Sequence, residues 1–183
     1  MNLWRLDCGA QTILVGGDEN LAEVFYWGAL LPESENLKSI WNITRLDYSG
    51  GVLDGVPALS ICPEVSKTFN GHPGMRIRGA SGKRLYPNFR LTNAKLSKTS
   101  LLLEYEDPEI GLTYKANFRA HKETSVFELS ASLTANTDIL VDWFAAPVLP
   151  ATQAAQKMID FSGHWCREFQ KQETDWSIGA RLR

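Results

Sequence analysis

The pattern that most constrains the fold is an alternation of apolar and polar residues in the second half of the chain. Apolar side chains occupy every second position from 112 to 120 in "LTYKANFRA" and from 127 to 133 in "VFELSASLT". Successive side chains of a β-strand point to opposite faces, so a period of two predicts strands with one face toward a core. Short polar segments, "DPEIG" and "HKETS", separate the strands at hairpin length. We expect an antiparallel meander of four or five strands between about residues 89 and 148.

The rest of the chain adds shorter signals. "TILVGG" and "EVFYWG" are typical of strands closed by glycine, and "SENLKSIWNITR" predicts one short helix near residues 36–44, capped by Ser34. The apolar run "ILVDWFAAPVLP" predicts a strand buried on both faces and ended by Pro147. Residues 47–82 are rich in Gly and Pro and indicate long loops. Together these signals predict an all-β domain of two packed antiparallel sheets.

Composition excludes several classes of protein. The 183 residues carry a net charge of -2 with acidic and basic residues interspersed, which is not the basic face of a nucleic-acid-binding protein. No apolar run approaches the roughly 18–20 residues that a membrane span needs. The three cysteines are far apart and odd in number, which does not fit a secreted disulfide framework. We expect a cytoplasmic protein with reduced thiols.

No cluster in the sequence predicts a metal, a cofactor or an activated nucleophile. His164 and Cys166 are close, but no second histidine or cysteine lies within ligand spacing of them, and a zinc site needs clustered soft ligands. The chain has no GxGxxG fingerprint and no GxxxxGK loop. Glycoside hydrolysis needs two acids that face each other, which the sequence alone does not pair. The candidate acids are Asp47, Asp54, Glu64 and Asp160.

Six tryptophans are many for this length, and aromatic rings are the surfaces on which sugars stack. Trp27 and Trp143 lie within strand patterns, so we expect them in the core. Trp41, Trp165 and Trp176 lie in less regular segments and are candidates to face a ligand or another domain.

Four stretches, taken in order, point to a family. "YWGALLP", "CPE…F.G.PG", "VDWFAAPVLP" and above all "DFSGHWCREF" resemble the N-terminal domain of bacterial α-galactosidases of glycoside hydrolase family 36. These are retaining enzymes that act on melibiose and raffinose-type sugars. The resemblance runs from Trp4 to the last residue.

The resemblance implies both a fold and a division of labour. Members of this family begin with a galactose mutarotase-like β-supersandwich and continue into a (β/α)₈ barrel that carries the two catalytic aspartates. Such a barrel needs about 250 residues of βα alternation, which this sequence does not contain. We therefore expect residues 1–183 to be a non-catalytic N-terminal domain without catalytic residues, metal or cofactor. Residues 1–155 would form the sandwich, and residues 156–183 would lead to the absent barrel.

The resemblance also implies a substrate-access loop at residues 62–74. In the family, one loop of this domain reaches the active-site mouth of a neighbouring subunit, so the implied partners are galactose-containing oligosaccharides, the protein's own barrel and further copies in a homo-oligomer. Phe69 matches an aromatic near the outer sugar of the substrate. Where many relatives have an Asp-aromatic-Arg run, this sequence has His72, Pro73 and Gly74. The candidate residues of the loop are Glu64, Phe69, His72 and Arg76.

Two other readings stay open. The chain would be a stand-alone carbohydrate-binding module if a complete sugar site lay within it. Mutarotase activity would need a histidine and a glutamate around the sugar ring as general acid and base. His121 in a turn and His164 near the end of the chain are poorly placed for that role.

Overall fold

A computed structural model describes residues 1–44, 58–151 and 155–176. The chain divides into two compact units, Met1–Pro150 and Ala151–Arg183, and each is described by itself. The expectation of an all-β antiparallel fold with one short helix is confirmed in these residues. None of the described helices is long and apolar enough to cross a membrane.

The described residues of the first unit form three antiparallel sheets. Strands β1 (Asn2–Cys8), β2 (Gln11–Gly17) and β3 (Glu23–Ala29) form the first sheet in chain order. Strands β4 (Met75–Gly79) and β5 (Arg84–Leu85) belong to a second sheet. Strands β6 (Arg90–Leu96), β7 (Ser100–Asp107), β8 (Leu112–His121) and β9 (Val126–Ala135) form a four-stranded meander. Strand β10 (Ile139–Phe144) then pairs with the far edge of β4, which gives the second sheet the order β10-β4-β5.

The alternation of the sequence gives the meander its inward face. Every second residue of β7 and β8 is buried, and the register places Leu103 opposite Ala116 and Tyr105 opposite Tyr114. Polar residues between them point away, including Lys115, whose ammonium group bonds Glu104 on β7 at 2.9 Å. The predicted meander is therefore confirmed for four strands, and a fifth strand leaves it to join another sheet.

One apolar core joins the three sheets. Residues of β1, β2 and β3 meet residues of β4 and the inward face of β7 and β8 in a single cluster. Burying apolar surface in this way is the main favourable term in folding. Fully buried members with large side chains are Ile13, Ile61, Ile77, Phe89, Leu101, Leu103, Tyr105, Leu112, Tyr114 and Phe118.

Strand β10 contradicts the expectation of a strand buried on both faces. Leu140, Val141 and Trp143 are each about half exposed, and the strand ends at Phe144, before Pro147. The reason is its position, because β10 is the edge of a three-stranded sheet and has a neighbour on one side only among the described residues. A bulge between Val141 and Trp143 also interrupts its alternation.

The loop prediction for residues 47–82 was wrong in part. Residues 45–57 lie outside the described residues, but "MRIRG" forms β4, with Met75 and Ile77 buried in the core. A 3₁₀ turn, Val65–Lys67, precedes it. Strand β1 was also not predicted, although its residues Leu6 and Cys8 are buried at alternate positions.

The helix α1 (Leu37–Thr44) confirms the helix expected near residues 36–44. Its cap is Asn36 rather than Ser34: the Asn36 side-chain oxygen accepts the backbone N–H groups of Lys38 and Ser39 at 3.0 and 3.1 Å. Trp41 is the buried residue of the helix, and its ring meets Phe25 edge to face.

The second unit is a β-hairpin of β11 (Lys157–His164) and β12 (Arg167–Asp175). Its side chains are mostly exposed, including Ile159, Phe161, Trp165 and Phe169. Cys166 lies in the turn with a positive φ of 68° and is exposed, whereas the other two cysteines, Cys8 and Cys62, are buried. The decapeptide that best carries the family resemblance is thus one strand, the turn and the start of the returning strand.

Candidate functional site

The segment that follows Cys62 folds into a loop with fastened ends. The Gly74 N–H donates to the Pro63 carbonyl at 2.9 Å, and the Gly74 carbonyl accepts the Ala145 N–H at 2.9 Å. Gly74 packs so closely that a Cβ built there would lie 2.8 Å from the Cys62 Cα. Only glycine fits this approach without a shift of the backbone. The base of the loop is therefore part of the packed fold.

Glu64 is the buried charged residue of this loop. Its Oε1 accepts the backbone N–H of Phe89 at 3.1 Å, and only 9% of the residue is exposed. Burial raises the pKa of the Glu64 carboxyl, opposed by the Phe89 hydrogen bond. Burial and the nearby Glu64 also raise the pKa of the Cys62 thiol to about 12, so this thiol is not a nucleophile at neutral pH.

A cleft of about 350 Å³ lies beside Glu64. Its apolar lining includes Met75, Ile77 and Phe89, and its polar lining consists of charged side chains and one tyrosine. The remaining lining residues are Pro63, Glu64, Val65, Gly71, Pro73, Arg76, Arg84, Leu85, Tyr86, Pro87 and Asp142. A volume of this size is at the lower end of those that bind small molecules.

The charges at the mouth of the cleft are arranged around Asp142. Arg78 donates two hydrogen bonds to this carboxylate, at 2.8 and 2.6 Å. These bonds, helped by the positive charges of Arg84 and Arg76, lower the pKa of Asp142. Arg76 and Arg84 make no side-chain hydrogen bond to any residue in the described part of the chain. Their guanidinium donors are therefore available at the cleft.

The structure brings together some of the four predicted loop residues. Glu64 and Arg76 line the cleft described above, while Phe69 lines a second cleft of about 230 Å³, which Glu64 also borders. His72 lines neither of these two clefts. Its ring lies 4.8 Å from the Trp143 ring in an edge-to-face contact.

The tryptophan expectations were wrong at three positions. Trp27 and Trp143, expected in the core, are 48% and 46% exposed, because both lie in strands with an uncovered face. Trp41, expected to face a ligand or another domain, is buried against Phe25. Trp165 in the hairpin turn is 86% exposed, and Trp176 is 36% exposed.

The sequence did not single out several residues of the cleft. Tyr86, which is 55% exposed, lies between two strands in a segment with no periodicity of its own. Arg84 and Asp142 come from strands 58 positions apart in the chain, so only the pairing of β10 with β4 and of β4 with β5 brings them to one cleft. The alternation of "MRIRG" was the available signal for Arg78, which bonds Asp142.

Other candidate residues lie away from this cleft. Asp47 and Asp54 are outside the described residues, and Asp160 belongs to the hairpin unit. His121 pairs with Glu128 at 2.7 Å on the exposed β8–β9 hairpin, and His164 ends β11. Among the described residues, no group of three or more histidine, cysteine or acidic side chains is placed to hold a metal ion.

The arrangement suits a neutral ligand that carries many hydroxyl groups. Carboxylate oxygens accept from hydroxyls, guanidinium groups donate to them, and the exposed Tyr86 ring offers a flat apolar surface. Glu64 has one oxygen bonded to Phe89, and its other oxygen makes no hydrogen bond to the described residues. The side chains that line the cleft are therefore of the kinds that contact hydroxyl-rich ligands.

Comparison with known proteins gives one family match and several matched structures. Residues 20–183 match the glycosyl hydrolase family 36 N-terminal domain. The structure is similar to an α-galactosidase, AgaA, from Geobacillus stearothermophilus in complex with raffinose, with 16% identity, a TM-score of 0.76, and coverage of 97% of this chain and 28% of that chain. A search of curated proteins found no match.

Two more structures show the same extent of likeness. The α-galactosidase from Lactobacillus brevis has 17% identity and a TM-score of 0.70, with 97% of this chain and 28% of that chain covered. AgaB, an α-galactosidase from Geobacillus stearothermophilus, has 13% identity and a TM-score of 0.72, with 98% and 29% covered. The chain thus spans less than a third of the length of each matched structure.

Proposed function

The chain belongs to glycosyl hydrolase family 36, as an N-terminal domain of that family, and we propose that it is the non-catalytic N-terminal domain of an α-galactosidase. The whole enzyme would hydrolyse terminal α-galactosides of the melibiose and raffinose type with retention. The observation that carries this proposal is the family match over residues 20–183. The length of the matched enzymes also supports the proposal, since this chain corresponds to about 28% of each of them.

The domain would serve two purposes in the whole enzyme. Its loop at residues 62–74 would shape the entrance to the active site, and its exposed surfaces would contact the barrel and further subunits. The loop's cleft supports the first purpose, because it offers hydroxyl-binding groups beside Glu64 and Arg76. The exposed apolar side chains of the hairpin, such as Phe161 and Trp165, support the second. AgaA has been crystallised with raffinose and with stachyose, which makes galactose-containing oligosaccharides the first substrates to test.

An activity assay of the purified chain tests the proposal. We expect no turnover of nitrophenyl α-galactoside by residues 1–183, because the catalytic aspartates of the family lie in a barrel. A longer protein that continues from this domain into a barrel should hydrolyse the same substrate. We propose that this protein is cytoplasmic. Turnover by the purified 183-residue chain would contradict the proposal.

A stand-alone carbohydrate-binding module is the second candidate. The cleft supports it, since its aromatic ring and charged side chains are groups with which a sugar site could be built within one chain, without a barrel. Titration with galactose, melibiose and raffinose separates the two functions. Saturable micromolar binding by the monomer would favour the module, and absence of binding would favour the enzyme domain.

A further inference from the structure

The 350 Å³ cleft has two walls that come from different parts of the chain. One wall is the start of the loop, with Glu64 and Val65, and the other wall is the segment from Leu85 to Phe89. Neither wall belongs to a long strand: β5 ends at Leu85, and Val65 begins a 3₁₀ turn of three residues. The sheets alone therefore do not fix the spacing of the two walls.

Two side-chain hydrogen bonds join these walls. The Glu64 Oε1 accepts the Phe89 N–H at 3.1 Å, and the Ser66 hydroxyl donates to the Pro87 carbonyl at 2.6 Å. Both bonds run from the loop to the backbone of the facing segment, across 25 and 21 positions of sequence. The third attachment of the loop, from Gly74 to Pro63, closes its base but does not reach the other wall.

The surroundings of Glu64 make its bond strong. Hydrogen bonds to a carboxylate are stronger than those between neutral groups, and a buried one is poorly replaced by water. Phe89 is itself fully buried, so its N–H has little access to solvent if Glu64 is removed. Ser66, in contrast, is exposed, and water can take over part of its role.

We propose that Glu64 and Ser66 are positioning residues that fix the width of the cleft and so the size of the ligand that it admits. Glu64 contributes most of this restraint, and Ser66 holds the turn at Val65–Lys67 against Pro87. The identity of the ligand as a galactoside rests on the proposed function. The restraint itself does not, since it is a property of the loop without any ligand.

Hydrogen exchange of the Phe89 amide, followed by NMR on the whole chain, measures the restraint directly. We expect Glu64→Ala to speed exchange at Phe89 about tenfold or more, because without this bond the local opening that exposes the buried amide to solvent costs less free energy. Glu64→Gln should retain the protection, since the amide oxygen can accept the same N–H. The neighbouring Asn88 amide is the internal reference, because it bonds Asp107 at 2.7 Å rather than Glu64. Glu123→Ala, in an exposed turn, is the matched control and should change neither amide.

Limited trypsin digestion measures the release of the loop. Lys67 ends the 3₁₀ turn, and we expect cleavage after it to be several times faster in Ser66→Ala and Glu64→Ala than in the natural sequence. Ser66→Thr keeps the hydroxyl and should restore protection. Cleavage after Lys83, in the exposed turn before β5, should be equal in all variants.

Two results would overturn the proposal. Unchanged exchange at Phe89 in Glu64→Ala would show that the bond does not hold the wall. Equal acceleration at Phe89, Asn88 and core amides such as Leu103 would show general destabilisation instead of a local opening. Sugar titration of the natural sequence is a separate measurement. If no sugar binds, the exchange result still stands, and if exchange is unchanged, the result of the titration still stands.

Discussion

Two buried tyrosines face each other on β7 and β8 but differ in what their hydroxyls contact. Tyr105 accepts the Ala22 N–H at 3.2 Å, whereas the Tyr114 hydroxyl has no hydrogen-bond partner among the described residues. Both side chains are fully buried. Tyr105→Phe should therefore lower the free energy of unfolding by about 1–3 kcal/mol, since it leaves a buried N–H unpaired. Tyr114→Phe should change it by less than about 1 kcal/mol, or raise it.

Urea unfolding of both variants, followed by circular dichroism, checks this pair. The two substitutions remove the same atom from equally buried rings, so each serves as the control for the other. A larger loss in Tyr114→Phe than in Tyr105→Phe would contradict the assignment of their partners.

Glu64 should make stability depend on pH. Burial raises the pKa of this carboxyl in the folded state, while the negative charge of Asp107 adds to the shift and the positive charges of Lys67 and Arg90 oppose it. The unfolded chain then releases this proton at a lower pH than the folded chain. As pH rises from the ordinary value near 4.5 through the raised value, this group costs stability.

Glu64→Gln removes this dependence because the amide does not titrate. We expect the urea midpoint of the variant, relative to the natural sequence, to rise with pH above about 4.5 and to level off once the folded carboxyl is ionised. A series of unfolding curves from pH 4 to 8 measures the difference. A difference in urea midpoint between the two proteins that does not vary with pH would contradict the prediction.

How far single residues could be predicted depends on how local their surroundings are. Glu64, Phe69, His72 and Arg76 were singled out from one stretch of sequence, but their burial depends on partners far away. Glu64 meets Phe89 across 25 positions, and His72 meets Trp143 across 71, through sheet pairing that no local pattern reveals. The sequence therefore predicted which segment forms the loop but not which side chains share a cleft.

Two strands that are both rich in apolar residues differ in how much they contribute to stability. Leu103 on β7 is fully buried, and Leu140 on the edge strand β10 is 49% exposed. Leu103→Ala should cost about 2–5 kcal/mol, because it removes buried contacts and leaves a cavity. Leu140→Ala should cost less than about 1 kcal/mol. Thermal unfolding of the two variants gives the comparison, and equal losses would show that β10 is covered.

The elements that followed a clear period were predicted, and those that depended on position in a sheet were not. Strands β7, β8 and β9 carry long alternating patterns and were found where expected. Strand β10 carries an unbroken apolar run, which does not distinguish a central strand from an edge strand. Strand β4 has only five residues, which is too short for its alternation to stand out beside the surrounding glycines.

The first unit contains the whole buried core of the described residues. Every member of the apolar cluster lies before Pro150, and the meander and its facing sheets are complete within that range. A chain shortened to residues 1–150 should therefore keep cooperative thermal unfolding and the near-ultraviolet circular dichroism of its buried aromatic residues. Loss of a cooperative transition would contradict this expectation.

The fold class and the family could both be predicted for the chain as a whole. Alternation indicated antiparallel sheets, and four ordered stretches indicated the family that the match over residues 20–183 confirms. The division into sheets could not be predicted, because β10 and β4 are brought together from positions 60 to 69 residues apart. Long-range pairing of this kind is encoded by the combined core and not by either strand alone.

The burial of the cysteines gives this protein a natural attachment point for a chemical probe. Burial raises the pKa of the Cys62 thiol to about 12, and Cys8 is fully buried, so neither side chain is open to a reagent in the folded chain. Cys166 is exposed in the hairpin turn, next to Trp165. A maleimide dye should therefore react at this one position in the folded chain without any substitution. Its emission would then report whether any partner covers the tip of the hairpin.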